Sequence, residues 1–413
     1  MLLRLLSPNL AGAVLISTLF CTAYAGAIVK VPFTSTIMLI SSSGNSNVPT
    51  TNAGLKVTVQ VQAGNDQTFN DILVDTGSSF LWVGAQEAYA LGPYTQIINE
   101  TFDANYGEGG ATGTAYIDRV TVGVVTASAA FIGAANNTEG FQIAEPLGGI
   151  SQCSPYISSQ LLTYTQTAAR SCRHRQLRSR HGPREHELQR RLSGYNTTPT
   201  FVQSLAAEGV IPAAMFGVYV SPLSASGEPG STGELTFGGV DESKFSAERE
   251  PWGDRRDRLA PALRCGQSAL ASRGLYFGWG GEYAINTTLY SLVDTGTYFI
   301  GIPNDGLFYI LQTTPDAELA SSSLLEGCLT FPANASGTLP PLYVGVGSLN
   351  FTITPAEYIV PTPLYAALNI TDADTIYTVL CPAGPNQYNL GMSFLEHAYS
   401  AFDLIGLAQL ASR

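Results

Sequence analysis

Charge is scarce in this chain, and positive charge is scarcer still. Only 13% of its 413 residues are charged, and 20 basic residues face 32 acidic ones. Eight arginines between Arg170 and Arg191 and six between Arg249 and Arg273 leave just six basic residues for the rest. Outside those two windows the protein is strongly acidic, which argues against nucleic acid as a partner. With 45% hydrophobic residues, the low charge also excludes a disordered chain. Histidine is nearly as rare. His174, His181 and His186 fall in the first window, so a Ser-His-Asp mechanism would depend on His397 alone, and no nucleophile motif accompanies it. There is no metal-ligand cluster and no phosphate-binding loop, so no cofactor is expected. Beyond the first 25 residues no uninterrupted apolar run is long enough to span a membrane.

What the chain does have is length and punctuation. A chain of 413 residues suits two packed domains, and 42 glycines with 23 prolines favour many short strands joined by turns. A mainly β architecture follows. Alternation supports it locally: Leu55, Val57, Val59 and Val61 interleave with Lys56, Thr58, Gln60 and Gln62, and a second alternating run covers residues 115–122. One short helix is expected after Pro199, with apolar Phe201, Val202 and Leu205 and Gly209 as its stop.

The first 25 residues read as a secretory signal peptide. Arg4 precedes an apolar run from Ala11 to Phe20, and Ala23-Tyr24-Ala25 gives the small-x-small cleavage pattern. The mature protein is therefore expected to be secreted and extracellular, with no membrane association. Asn99, Asn136, Asn196, Asn286, Asn334, Asn350 and Asn369 each open an Asn-x-Ser/Thr acceptor, which fits that route. Of the six cysteines, Cys21 leaves with the signal. Cys328 and Cys381, in a strand-like stretch, are the expected disulfide, leaving Cys153, Cys172 and Cys265 as an odd remainder.

The most informative feature is an internal duplication. Residues 74–79 read VDTGSS and residues 293–297 read VDTGT, each entered from an apolar strand. Two similar lobes would each supply one aspartate, Asp75 and Asp294. Adjacent carboxylates resist ionising together, so the pair holds one proton and can act as base and acid at once. One member takes a proton from a water as it attacks a carbonyl while the other donates to the developing oxyanion or leaving amine. Gly77 and Gly296 permit close approach of the two backbones, and the hydroxyls of Ser78 and Thr297 can hydrogen-bond the carboxylates.

These motifs resemble the pepsin-like aspartic peptidases, the fungal polyporopepsin-like group in particular. The resemblance runs from about Asn47 to the C-terminus. It implies a mainly β, bilobal pepsin-like acid protease fold with the active cleft between two related lobes. It also implies an endopeptidase of acid pH optimum acting on protein or peptide substrates, sensitive to pepstatin-type inhibitors, and a monomer. By position, Asp75 and Asp294 correspond to the catalytic pair, with Thr76 and Thr295 cross-bonding the two loops. Tyr106, Gly107 and Glu108 belong to the expected flap, and Trp82 is the expected hydrogen-bond partner of Tyr106. Tyr298 stands where the family usually has a small hydroxyl residue and is expected to narrow a substrate subsite. The family also has a disulfide where Cys328 and Cys381 stand. Leu390-Gly391 and Phe394-Leu395 resemble the segment supporting the second aspartate's loop.

The resulting plan places a signal peptide at 1–25, a short residual prosegment or N-terminal extension at 26–47, an N-terminal lobe at 48–222 and a C-terminal lobe at 223–413. Two anomalous basic segments, 168–193 and 249–274, depart from it. In the family the first should carry the strand supporting the first catalytic loop, yet Arg173-His174-Arg175 stands there, as a shifted reading frame or retained intron would give. Both segments are expected to be extruded from the core, because burying their unpaired charges is too costly. A catalytically impaired peptide-binding relative, or a defective gene-model product of the same fold, is the alternative function.

Overall fold

The computed structural model describes residues 29–39, 53–78, 80–106, 109–139, 149–152, 198–220, 231–245, 269–272, 276–285, 289–321, 325–346, 349–362, 365, 368, 370–372, 374–402 and 406–409. The alternating run near the start behaves as its pattern dictates. It forms β2 (Ala53–Ala63), which buries Val57, Val59 and Val61 and exposes Gln60 and Gln62, while Thr58, read as outward-facing, is buried as well. β3 (Gln67–Asp75) is different, because Ile72, Leu73 and Val74 are all buried. Both of its faces are covered at the end that carries Asp75.

Ten strands of the first half, β1 (Val29–Leu39), β2, β3, β4 (Trp82–Val83), β5 (Gln96–Asn105), β6 (Gly110–Val122), β7 (Val125–Glu139), β8 (Gly149–Gln152), β9 (Phe216–Tyr219) and β10 (Ser231–Phe237), enter one twelve-stranded sheet. The strands Ala398–Phe402 and Gly406–Gln409 from the C-terminus complete it beside β9. The C-terminal end of the chain is thus hydrogen-bonded to the middle of the sequence. β1 lies within the stretch read as an N-terminal extension, and it is paired on one side with β2 and on the other with β10.

The two halves share a local plan around their aspartates. β3 runs parallel to β8, with Val74 opposite Ser151 and Asp75 opposite Gln152; β8 is antiparallel to β4, and β4 is parallel to β7. In the second half, Leu289–Val293 runs parallel to Gln387–Leu390, which is antiparallel to Ile300–Pro303, itself parallel to Leu380–Gly384. The duplication legible in sequence is a duplication of sheet topology. It also corrects one expectation: the strand beside Asp75 is not missing into the first basic segment, because β8 supplies it some twenty residues earlier. Its four residues, Gly149-Ile150-Ser151-Gln152, are too few to show a period.

The second basic segment needs a correction too. Its residues Ala269–Ser272 form a strand paired antiparallel with Leu289–Val293, Ala269 opposite Leu292. They carry no charge, so no desolvation cost keeps them out of the sheet. The remaining residues of that segment, and all of 168–193, lie outside the described residues.

The expected helix is Phe201–Ala207. Thr200 caps it through a reciprocal pair with Gln203: Gln203 N donates to Thr200 Oγ1 at 3.1 Å, and Thr200 N donates to Gln203 Oε1 at 2.9 Å. Gly209, at φ 72°, ends it in a conformation that disfavours side chains. Phe201, Val202 and Leu205 are buried against the main core. A second apolar cluster, centred on Phe80, Trp82, Phe102 and Phe131, lies under the β5–β6 hairpin and includes Leu73, next to Val74 on β3. Cys328 and Cys381 are joined by a disulfide, tying the start of Leu329–Pro332 to Leu380–Gly384.

Candidate active site

Each Asp-Thr-Gly segment leaves its strand in a tight turn. Ser78 N returns to Asp75 O at 3.4 Å, and Thr297 N returns to Asp294 O at 3.2 Å. Within each turn the carboxylate is cradled the same way. Gly77 N donates to Asp75 Oδ1 at 2.7 Å and Ser78 Oγ donates to Oδ2; Gly296 N donates to Asp294 Oδ1 at 2.9 Å and Thr297 Oγ1 donates to Oδ2 at 2.7 Å. A donor on each oxygen fixes the carboxyl plane.

The two turns are locked together by their threonines. Thr76 N donates to Thr295 Oγ1 and Thr295 N donates to Thr76 Oγ1, both at 3.1 Å. Each hydroxyl then donates onward to the opposite strand, Thr76 Oγ1 to Val293 O at 3.0 Å and Thr295 Oγ1 to Val74 O at 2.7 Å. All four bonds are buried, so neither threonine can exchange its partner for water. The result is a near-symmetric platform whose two halves come from residues more than two hundred apart in sequence.

On that platform the carboxyls of Asp75 and Asp294 face one another across Gly77 and Gly296. There is no room to spare: a Cβ on Gly296 would lie 2.6 Å from Asp75 Oδ1 and 3.2 Å from Asp294 Oδ1, and one on Gly77 would lie 3.0 Å from Asp294 Oδ1. Glycine is required at both positions by contact. Asp75 is 6% exposed. Burial, and then the negative charge of Asp294, raise its carboxyl far above the usual carboxylate range, against the opposing donation from Ser78 and Gly77. The pair is held where one proton is retained between two carboxyls.

Above the turns, Trp82 Nε1 donates to Tyr106 Oη at 2.8 Å, and the phenol is also hydrogen-bonded to Ser78. Burial and the Asp75 charge hold that phenol protonated well beyond its usual range. Tyr106 N closes the hairpin tip by donating to Gly109 O at 2.9 Å. Gly107 and Glu108 lie outside the described residues. Tyr298 is half-buried: its carbonyl accepts from Ser393 N at 2.9 Å and its ring packs edge-on against Phe299.

The second turn rests on a segment that the sequence marked only in part. Asp294 N donates to Leu390 O, Gly391 N to Phe299 O and Met392 N to Thr297 O, at 3.1, 3.1 and 2.7 Å. Asn389 was not singled out from sequence, yet its Nδ2 donates to Thr297 Oγ1 at 3.4 Å, behind the bond to Asp294. A polar residue between buried Tyr388 and Leu390 was the available signal. Among the acceptor asparagines, Asn99, Asn136 and Asn334 are exposed, Asn350 sits in the strand Leu349–Ile353, and Asn196, Asn286 and Asn369 lie outside the described residues. No group of three or more potential metal ligands occurs among the described residues.

Comparison with known proteins gives a consistent picture. The family model for eukaryotic aspartyl protease matches residues 57–160 and 188–410. Polyporopepsin of Irpex lacteus is 25% identical over 368 residues, covering 86% of this chain and 94% of its own. Human gastricsin is 24% identical over 347 residues, covering 81% of this chain and 75% of its own. The crystal structure of the aspartic proteinase from Irpex lacteus superposes with a TM-score of 0.68 at 23% identity, over 93% of this chain and 98% of that one. The fold is the mainly β, bilobal one of that proteinase, with the cleft between two related lobes.

Proposed function

This chain belongs to the eukaryotic aspartyl protease family, and from that premise we propose that Asp75 and Asp294 are its catalytic pair in a secreted endopeptidase of acid pH optimum. One observation carries the assignment: two carboxyls facing one another, presented by turns of matching geometry that lock each other through Thr76 and Thr295. A water between the carboxyls loses a proton to the ionised member as its oxygen attacks the substrate carbonyl. The protonated member stabilises the developing oxyanion, and the proton returns to the leaving amine. Ser78 and Thr297 hold the outer oxygens, so the inner ones stay aimed at the reaction.

The acid optimum is what membership of the family implies, and the shared proton sets the alkaline limit of activity, because Asp75 holds it up to about pH 8. As pH rises, the second carboxyl ionises, the acid half of the mechanism is lost and activity declines. The Tyr106 hairpin is the flap in this reading, braced by Trp82 over bound peptide. Secretion is supported by the leader at 1–25 and by the Cys328–Cys381 disulfide. Among the described residues no helix is long and apolar enough to cross a membrane.

The test is hydrolysis of a denatured protein by the full chain across an acid-to-neutral pH series, with and without pepstatin. Cleavage should be strongest on the acid side, blocked by pepstatin, and absent in Asp75→Asn and in Asp294→Asn. Turnover surviving in either variant refutes the assignment. Pepstatin binding without any cleavage would favour the impaired peptide-binding alternative.

A further inference from the structure

The hairpin sheet breaks its own ladder at an asparagine. In β5, Ile97 pairs with Tyr116 and the next partnered residue is Glu100, opposite Ala115, so Ile98 and Asn99 bulge out of the register. Asn99 takes a φ of 55°, in the left-handed region that asparagine tolerates better than most residues. It is exposed, and among the described residues nothing hydrogen-bonds its amide. β5 is also the last strand of the twelve-stranded sheet, so its outer edge has no partner strand among the described residues.

One exposed apolar residue stands near the start of that edge, among Gln96, Asn99 and Glu100. Ile97 is 62% exposed, and Leu91 and Tyr94 just before it are 52% and 49% exposed. The Tyr94 ring lies 3.8 Å beneath the Arg119 guanidinium, two residues along β6 from Ile117, the partner of Gln96. Tyr94 is thus held towards β6, and Ile97 is the exposed apolar residue on β5 itself. An uncovered sheet edge is a template for pairing with another chain through its backbone, and natural proteins cover or interrupt it. The bulge interrupts this one only locally.

Asn99-Glu100-Thr101 is an N-glycosylation acceptor. We propose that Asn99 carries an N-linked glycan that covers the free edge of β5 with its exposed Ile97 and keeps the chain monomeric. The proposal rests on the secretory reading above, because the transfer occurs on that route. In that transfer Asn99 Nδ2 bonds to C1 of the first sugar of a lipid-pyrophosphate-linked oligosaccharide. The bond from C1 to the pyrophosphate oxygen breaks, the lipid pyrophosphate leaves, and an amide proton passes to base.

The protein secreted from an N-glycosylating eukaryotic host would be digested and deglycosylated by an amidase in heavy-oxygen water, which marks each modified asparagine as heavy aspartate. Asn99 should be marked in most copies. Asn99→Gln, and separately Thr101→Ala, which removes the acceptor and leaves the asparagine, should keep wild-type peptidase activity while light scattering shows the mean mass doubling or more. Asn334→Gln, which removes an acceptor in an exposed turn of the other half, should stay monomeric. An unmarked Asn99 beside another marked asparagine overturns this proposal alone. No marked asparagine anywhere overturns it together with the secretory reading. A marked Asn99 whose two variants both remain monomeric overturns the shielding role.

Discussion

Asp75→Asn should flatten the dependence of stability on pH as well as abolish turnover. In the folded protein the Asp75 carboxyl is raised from 3.8 to about 8, by burial first and then by the Asp294 charge. Below 3.8 both folded and unfolded chains carry the proton, and this group imposes no penalty. As pH rises from there, the unfolded chain releases the proton while the folded one keeps it, so stability falls until the folded value is passed. Each pH unit is worth about 1.4 kcal/mol, which makes the loss from pH 4 to pH 7 on the order of 4 kcal/mol. Asparagine cannot ionise, and with its amide oxygen at the Oδ1 position it still accepts from Gly77 N, while its N–H at the outer position can donate to Ser78 Oγ. At an unfolding entropy of about 2 cal/mol/K per residue, the wild-type Tm should fall about 5 °C further than the variant's over that interval. Differential scanning calorimetry of both proteins at matched ionic strength measures it. Parallel Tm curves between those pH values would refute the reasoning.

Thr295→Val removes the acceptor for Thr76 N and the donor to Val74 O, leaving two buried groups unpaired. A loss of about 2–4 kcal/mol in a urea titration is expected, with kcat falling more than KM rises. Trp82→Phe deletes the 2.8 Å bond to Tyr106 and should lower kcat/KM about tenfold on peptide substrates, while the cavity left in the Phe80–Phe102 cluster should cost about 1–3 kcal/mol in a urea titration. Replacing both Cys328 and Cys381 by serine frees a loop of 53 residues and should cost about 4 kcal/mol in equilibrium unfolding.

The parts of this protein that were legible in sequence are those with a local pattern. The alternation of β2, the capped helix at Phe201–Ala207 and the repeated Val-Asp-Thr-Gly each carry their own signature, and each appears where the pattern placed it. Thr76 and Thr295 were recognisable only through family resemblance, because their partners are backbone atoms of the opposite strand. Nothing local announces a bond that spans 219 residues. The β8 strand escaped for a different reason: four residues with two neutral polar members offer neither a hydrophobic run nor a period, and only the parallel pairing with β3 defines them. Asn389 is a third case, a polar residue whose purpose appears only when the Thr297 hydroxyl is seen in front of it.

The threonine lock also sets a clock on the ribosome. Its first half emerges with Thr76 and cannot close until Thr295 has been made, 219 residues later. At synthesis rates of about 5–20 residues per second, that interval is roughly ten to forty seconds. During it the nascent chain carries one carboxyl turn and no dyad. The proposed peptide-cutting centre, divided this way, is incapable of attacking its own unfinished chain or the machinery around it, and needs no separate inhibitor for that stage of its life.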